Sequence, residues 1–362
     1  MRCISPAESA NDNERMTAMT MDTRIALPTD TEIELAADLL KRGGLVAFPT
    51  ETVYGLGGNG LLGDAVEKIF QAKGRPMDNP LILHVGDWPL TETVCTPSPL
   101  AQKLMDAFWP GPLTVLCPKT GIVPWQVTAG LPKVALRMPN HPVALRLLRR
   151  AGVPVAAPSA NASGRPSPTL AVHVLTDLAG KIPLILDGGP CQIGVESTVV
   201  DVEQDQVTIL RPGLVTREML EQVTGRPVEV AESTLRPLQP GETALSPGMK
   251  HRHYAPVAKV FLVPDEDPIP RLRRCYREAT AAGQRAAVMC FTEDLPALAD
   301  CNPYDLGGRH HAETMAQRLF AILRQVDEAG VDVVFSAVVP PEGAGLAVMN
   351  RLGRAAEFKQ VK

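Results

Sequence analysis

At 362 residues, with roughly 100 to 200 residues to a domain, the chain has room for two domains, and its 45% hydrophobic content suits packed cores rather than a disordered tail or a fibre. Its 36 basic and 40 acidic side chains leave a net charge of -4, so no global positive field draws in nucleic acid or an anionic membrane, and any polyanion site has to be local. No run of 18 apolar residues occurs, and Asn11, Asp12, Asn13, Glu14 and Arg15 stand where a signal peptide would need an apolar stretch, so a cytoplasmic protein without a membrane partner is expected. The seven cysteines (Cys3, Cys95, Cys117, Cys191, Cys275, Cys290, Cys301) contain no C-x-x-C pair, which points to reduced, mostly buried thiols rather than a disulfide framework or zinc knuckle. Proline is abundant, 34 residues against a usual share of roughly 5%, while Phe 8, Tyr 4 and Trp 3 leave few stacking platforms; rigid loops are expected and aromatic-led RNA binding is not.

In chain order, residues 1–28 are polar, lack hydrophobic periodicity and contain Met16, Met19 and Met21, so they are expected to be a disordered leader or the result of an upstream start codon. From Thr31 the spacing of Ile33, Leu35, Ala36, Leu39 and Leu40 predicts a helix; Gly43 and Gly44 stop it, and Leu45 to Phe48 follow as a buried strand. The alternation continues with a helix over 65–72, a strand over 81–85, a helix over 101–108, strands over 113–117 and 134–138, a helix over 143–150 and a strand over 155–157. Strands over 184–186, 197–202 and 207–210 and a helix over 217–223 bring a first domain, residues 29–230, to its end. Residues 231–256 carry Pro237, Pro240, Pro247, Pro256, Gly241 and Gly248 without apolar periodicity, the texture of a linker or lid. Beyond it, strands over 257–263, 286–291 and 331–337 alternate with helices, one of which aligns Ala312, Met315, Ala316, Leu319, Leu323 and Val326 on one face; residues 257–362 are therefore expected to form a small parallel α/β domain.

Three clusters carry candidate chemistry. Pro49 to Gly57 follows a strand and combines Thr50, Glu51, Thr52 and Tyr54 with glycines, as a ligand-facing turn would. Gly55, Gly57 and Gly60 satisfy G-x-G-x-x-G, but no acidic residue closes a second strand about 20 positions on, which counts against a dinucleotide site. Lys73-Gly74-Arg75 reads either as a helix end whose cations complement the dipole or as a phosphate clamp, because Arg offers a planar fork and Lys a mobile point charge. His84, alone on an apolar strand, fits a core histidine unless its neighbours define a pocket. Ala157 to Thr169 is rich in small donors and prolines, either a nucleotide-gripping loop or a turn of Ser/Thr and Asx caps before a helix that starts near Leu170. Ser159 lacks the G-x-S-x-G elbow, no Walker A motif occurs, and His251 and His253 have no cysteine or carboxylate partner nearby, so no metal site is expected.

Taken together, Pro49 to Gly57, the pairs Lys73-x-Arg75 and Ser159-x-Asn161, Gly194 to Asp201 and Leu210-Arg211-Pro212-Gly213 resemble the YrdC domain of threonylcarbamoyl-AMP synthases. Ser246 to Tyr254 resembles the linker of the long, two-domain form, and Met349 to Ala356 resembles its second domain, so the resemblance runs from about residue 30 to the end. It implies an α/β fold, a YrdC-like twisted mixed sheet with helices around a concave site, plus a smaller Rossmann-like parallel α/β domain.

The activity implied is synthesis of L-threonylcarbamoyladenylate from L-threonine, bicarbonate and ATP, with release of pyrophosphate and delivery of the product to the machinery that transfers threonylcarbamoyl to tRNA. The resemblance places threonine at Thr52, His84, Arg137, Ala157 and Ser197, and ATP at Arg75, Asn79, Thr114, Ser159, Asn161, Ser167, Arg211 and Tyr254, with Lys73 and Arg75 as the charges acting on the phosphates. Mg2+ is implied through the ATP phosphates, without a protein-built cage. In-line attack of a carbamate on the α-phosphorus needs charge neutralisation and exclusion of water more than an acid or base, so no general base is assigned. Related carbamoyltransferases of hydrogenase maturation are longer and carry zinc-finger cysteines that this chain lacks. The alternative is an RNA-binding module of the YrdC fold without this chemistry, for which the net charge of -4 leaves only a local basic patch.

Overall fold

The structure, a computed structural model, describes residues 22–234, 236 and 254–361. Most of the expected leader, Cys3, and the linker residues Ser246 to Lys250, His251 and His253 lie outside the described residues.

The first domain is built on strands β1 (Arg24–Ala26), β2 (Val46–Phe48), β3 (Gly55–Asn59), β4 (Ile82–His84), β5 (Leu113–Pro118), β6 (Lys133–Arg137), β7 (Val155–Ala156), β8 (Leu184–Leu186), β9 (Thr198–Glu203), β10 (Gln206–Arg211) and β11 (Val228–Val230). Among the described residues these form an 11-stranded mixed sheet in the order β1-β8-β2-β3-β7-β4-β6-β5-β9-β10-β11. Helices lie against both faces: Gly63–Lys73, Pro99–Phe108, Ala171–Leu178 and Arg217–Thr224 pack on the face of Ala47, Leu83 and Leu136, and Asp30–Lys41 and Pro142–Ala151 on the opposite face. Asp30–Lys41 starts where the Thr29 hydroxyl accepts from the Glu32 amide, buries Ile33, Ala36, Ala37 and Leu40, and packs beside Pro142–Ala151. At about 1.5–3 kcal/mol per large apolar side chain taken from water, that face rather than helix propensity holds the helix in place. On the same face as Asp30–Lys41, farther across the sheet, a small set, Ile82, Leu116, Ala135, Val199 and Leu210, forms an apolar floor.

Two features depart from the sequence reading. Residues 24–26, expected in the leader, form β1, which pairs parallel with β8 from Arg24↔Leu184 to Ala26↔Leu186 and buries Ala26. Residues 55–59, read as part of a glycine-rich turn, form a buried strand, antiparallel to both β2 and β7. Glycine serves close packing there: a Cβ on Gly57 would sit 2.8 Å from both Phe48 Cε1 and Val155 Cγ1.

The second domain is a parallel sheet of β12 (Lys259–Val263), β13 (Ala286–Cys290), β14 (Pro303–Asp305) and β15 (Val333–Ala337), in the order β12-β15-β13-β14. Helices Ala312–Glu328 and Gly345–Ala355 join it to the first domain. Arg324, 3% exposed, donates to the Asp177 carboxylate at 2.8 Å and to the Pro166 carbonyl at 2.6 Å. Gly194, at φ 84, lies so close to the first of these helices that a Cβ would meet the Gln317 Cα at 2.4 Å. Cys95, Cys117, Cys191, Cys275, Cys290 and Cys301 are buried free thiols, and no helix among the described residues is long and apolar enough to cross a membrane.

Candidate active site

Strand register assembles the site. Parallel pairing of β4 with β6 sets His84 opposite Arg137, so the carboxyl ends of two strands, where α/β sheets open to ligands, deliver both side chains together. β9 begins beside β5, with Leu113 opposite Thr198 and Thr114 opposite Val199, which brings Ser197 within 2.7 Å of the Thr114 hydroxyl. β10 returns antiparallel and ends at Arg211, whose Nε donates to the Ser197 carbonyl at 3.1 Å and whose Nη2 donates to the Ser197 hydroxyl at 3.1 Å. The loop after β7 is laced to the chain entering β3: the Leu56 amide donates to the Pro158 carbonyl, the Ala160 amide to the Tyr54 carbonyl, and Ser159 bridges Gly55.

These segments wall a pocket with about 550 Å³ of space between the atoms, part of it open to solvent. The five positions expected for threonine, Thr52, His84, Arg137, Ala157 and Ser197, all line it. Of the ATP set, Arg75, Ser159, Arg211 and Tyr254 line it as well. The other four stand one step behind a lining residue. Thr114 contacts Ser197, the Asn79 carbonyl accepts from Arg75 at 3.3 Å, Asn161 Oδ1 accepts from Ser159 at 2.5 Å, and Ser167 donates to Glu196 at 2.5 Å.

Lys73 departs from its expected place. Its ammonium is absent from the wall and donates to the main-chain carbonyls of Ser159 and Asn161, both at 2.5 Å. Burial, followed by the charge of Arg75, holds its pKa well below the usual lysine range. Lys73 therefore fixes the Ser159–Asn161 loop, and the sequence could not show which way its long stem would turn.

Charge on the wall is predominantly positive. Burial pulls Arg75 and Arg211 each down to about 10, against the opposing influence of Tyr254. His84 is pushed down to about 3 by burial and then by Arg137, so it is a neutral imidazole, and its Nδ1 has no protein partner. Tyr254, 4% exposed, lies over Phe320 of the second domain at 5.2 Å between ring centroids, and burial followed by the Glu196 carboxylate raises its phenol above the ordinary value.

Three neighbours were not assigned from sequence. Thr50 bonds Thr52 hydroxyl to hydroxyl at 2.7 Å and donates to the Val53 carbonyl at 2.7 Å, which shapes the 50–53 turn. Glu51 faces Arg137 at 2.8 Å, an ion pair by distance although neither carboxylate oxygen makes an aligned hydrogen bond. Glu196 lines the cavity; burial pushes its carboxyl up, but Arg351, Arg211 and the Ser167 hydroxyl outweigh that and leave it below the usual range. Both glutamates sit inside the motifs noticed in the sequence, but their partners are remote in the chain.

Among the described residues no three His, Cys, Asp or Glu side chains cluster as metal ligands. The lining carboxylate of Glu196 already accepts from Ser167 and Arg351, so the donor set does not suit a protein-held divalent ion.

Comparison with known proteins identifies the family. Residues 38–213 match the Sua5/YciO/YrdC family model described as "Telomere recombination", and residues 215–357 match the model for the threonylcarbamoyl-AMP synthase C-terminal domain. A curated threonylcarbamoyl-AMP synthase of Bacillus subtilis is 46% identical over 335 residues, 92% of this chain and 95% of that one. This chain belongs to the threonylcarbamoyl-AMP synthase family. The family's member in Pyrococcus abyssi is 44% identical over 91% of this chain and 96% of its own length. The crystal structure of P. abyssi Sua5 complexed with L-threonine superposes with a TM-score of 0.84 at 41% identity, covering 94% of this chain and 99% of that one. The chain is thus an enzyme of this family, with both of its domains.

Proposed function

We propose that this enzyme condenses L-threonine and bicarbonate, with loss of water, to a carbamate whose oxygen attacks the α-phosphorus of ATP, forming L-threonylcarbamoyladenylate as the bond to the β-phosphate breaks and pyrophosphate leaves. The observation that carries this reading is one cavity whose wall brings two sets of groups together. Thr52, His84 and Arg137 are small hydroxyl, imidazole and guanidinium groups suited to an amino acid. Arg75, Ser159 and Arg211 are suited to phosphate oxygens.

Arg137 takes the threonine carboxylate and leaves the amine facing the nucleotide. Neutral His84, flanked by Arg137, cannot add a second positive charge against the amine at ordinary pH. Arg75 and Arg211 neutralise charge that builds on the phosphates as pyrophosphate departs. Lys73 acts on the loop that presents Ser159 and Asn161. Tyr254, backed by Phe320, fills part of the cavity wall and keeps water from the carbamate and the mixed anhydride. The ion that accompanies ATP supplies further neutralisation of its phosphates. The adenylate is an activated carbamoyl donor, fit for transfer to the amine of a tRNA adenosine by a separate enzyme in the cytoplasm.

The test is pyrophosphate release from Mg·ATP by the purified chain without tRNA. Release that requires both L-threonine and bicarbonate is expected; release indifferent to either one, or RNA affinity that falls with salt and no turnover, contradicts the reading.

A further inference from the structure

A side chain of the second domain stands directly behind the carboxylate on the cavity wall. Arg351, on helix Gly345–Ala355, is fully buried, and its guanidinium is shared among three acceptors of the first domain. Its Nε donates to Glu196 Oε2 at 2.9 Å, its Nη1 to the Pro212 carbonyl at 2.6 Å and its Nη2 to the Glu196 carbonyl at 3.2 Å. Glu196 passes the contact on, because its other oxygen accepts from Ser167 at 2.5 Å. Pro212 directly follows Arg211, and Glu196 directly precedes Ser197. One planar fork thereby pins the two segments that carry Arg211 and Ser197, and through Glu196 it also sets the direction of the Ser167 hydroxyl.

Charge gives a second reason for its presence. A carboxylate on the wall of a pocket that receives a triphosphate would repel it, and burying that carboxylate without a partner would be costly. Arg351 cancels the charge from behind the wall, and the next arginine along the helix, Arg354, anchors to the Ser233 carbonyl at 3.0 Å instead.

We infer that Arg351 is a positioning residue for the nucleotide part of the site, supplied by the second domain, which holds Arg211 and Ser167 in place through Pro212 and Glu196. The inference rests on the proposed function, since it assigns the nucleotide to Arg211. Of the five threonine positions only Ser197 lies on a segment that Arg351 holds, so threonine is expected to respond much less than ATP.

The experiment uses the full chain and reads equilibrium binding of ATP and of L-threonine separately by calorimetry, beside urea unfolding and steady-state kinetics. Arg351→Lys keeps the charge but cannot reach three acceptors at once. The expected result is an ATP Kd raised about tenfold or more, a matching rise in KM with a smaller change in kcat, and a threonine Kd that changes several-fold less than the ATP Kd. Guanidinium added to Arg351→Ala is expected to restore part of the ATP affinity. Glu196→Gln, which preserves size, is expected to give the same split, so the inference stays testable if the arginine variants do not fold. Unchanged ATP affinity in the folded variants, or equal losses for both ligands that track a loss of folded protein, overturns it. Because binding is read without turnover, ATP affinity that responds as expected in a chain that makes no adenylate would sink the proposed reaction and leave the role of Arg351 standing.

Discussion

Replacing Arg137 by Gln separates what this residue does for the fold from what it does for the ligand. Its side chain is 5% exposed and stands 2.8 Å from Glu51, itself 6% exposed, so the substitution strands a carboxylate out of water. Breaking a buried pair by removing one partner costs about 3–5 kcal/mol, and the lost hydrogen bond from Nε to the Gly111 carbonyl at 3.2 Å adds to that. Threonine loses a charge-assisted contact to its carboxylate worth about 1.5–3 kcal/mol, a rise in Kd of about 10- to 150-fold. The Glu51→Gln/Arg137→Gln double variant resolves the two effects. With two neutral amides of similar size no buried charge remains, so most of the stability returns while threonine affinity stays low. Urea unfolding and threonine calorimetry on the three variants measure this. A double variant that binds threonine as tightly as the parent, or a single variant destabilised by less than about 1 kcal/mol, would refute the reasoning.

Three further outcomes are expected. Lys73→Met removes the donor from two buried carbonyls of the 159–161 loop, so unfolding free energy should fall by about 1–3 kcal/mol and ATP binding should weaken with it; an unaltered urea midpoint would show that the loop holds without this lysine. Burial pulls Arg75 and Arg211 down to about 10, and an anionic triphosphate favours their charged forms. ATP binding near pH 10 should therefore take up protons, read from calorimetry in buffers of different ionisation enthalpy, and strictly proton-neutral binding would count against both assignments. For His84, held near 3 in the fold against about 6.5 in an unfolded chain, the unfolded state binds the extra proton between those values. Stability should therefore fall as pH drops from 6.5 toward 3, and His84→Gln should flatten that fall; an unchanged acid limb in the variant would place its origin elsewhere.

Much of the fold was legible because it is periodic. Asp30–Lys41 and Ala312–Glu328 each bury one helical face, and the buried strands Leu113–Pro118 and Leu184–Leu186 stand as apolar runs between turn residues. What escaped has physical causes. β1, β11 and β14 span three residues each, too few to display alternation, and β3 is a strand of glycines chosen for close packing. In the site, residue types in local motifs pointed to the lining positions, including His84, whose role depends on Arg137 set opposite it by register. Partnerships did not show. Arg351 and Glu196 lie 155 residues apart, Arg324 and Asp177 147 apart, and no spacing rule connects them. Lys73 was placed on the phosphates because a free lysine is a mobile charge, whereas the fold offers it two carbonyls first.

The most direct measurement of the central claim is mass spectrometry of the product formed from L-threonine, ATP and carbon-13 bicarbonate by the full chain in the absence of tRNA. The site described here predicts an adenylate that contains threonine and the labelled carbon and accumulates in step with pyrophosphate. Consumption of ATP without a labelled threonine-containing adenylate, or no consumption by folded protein, would contradict it.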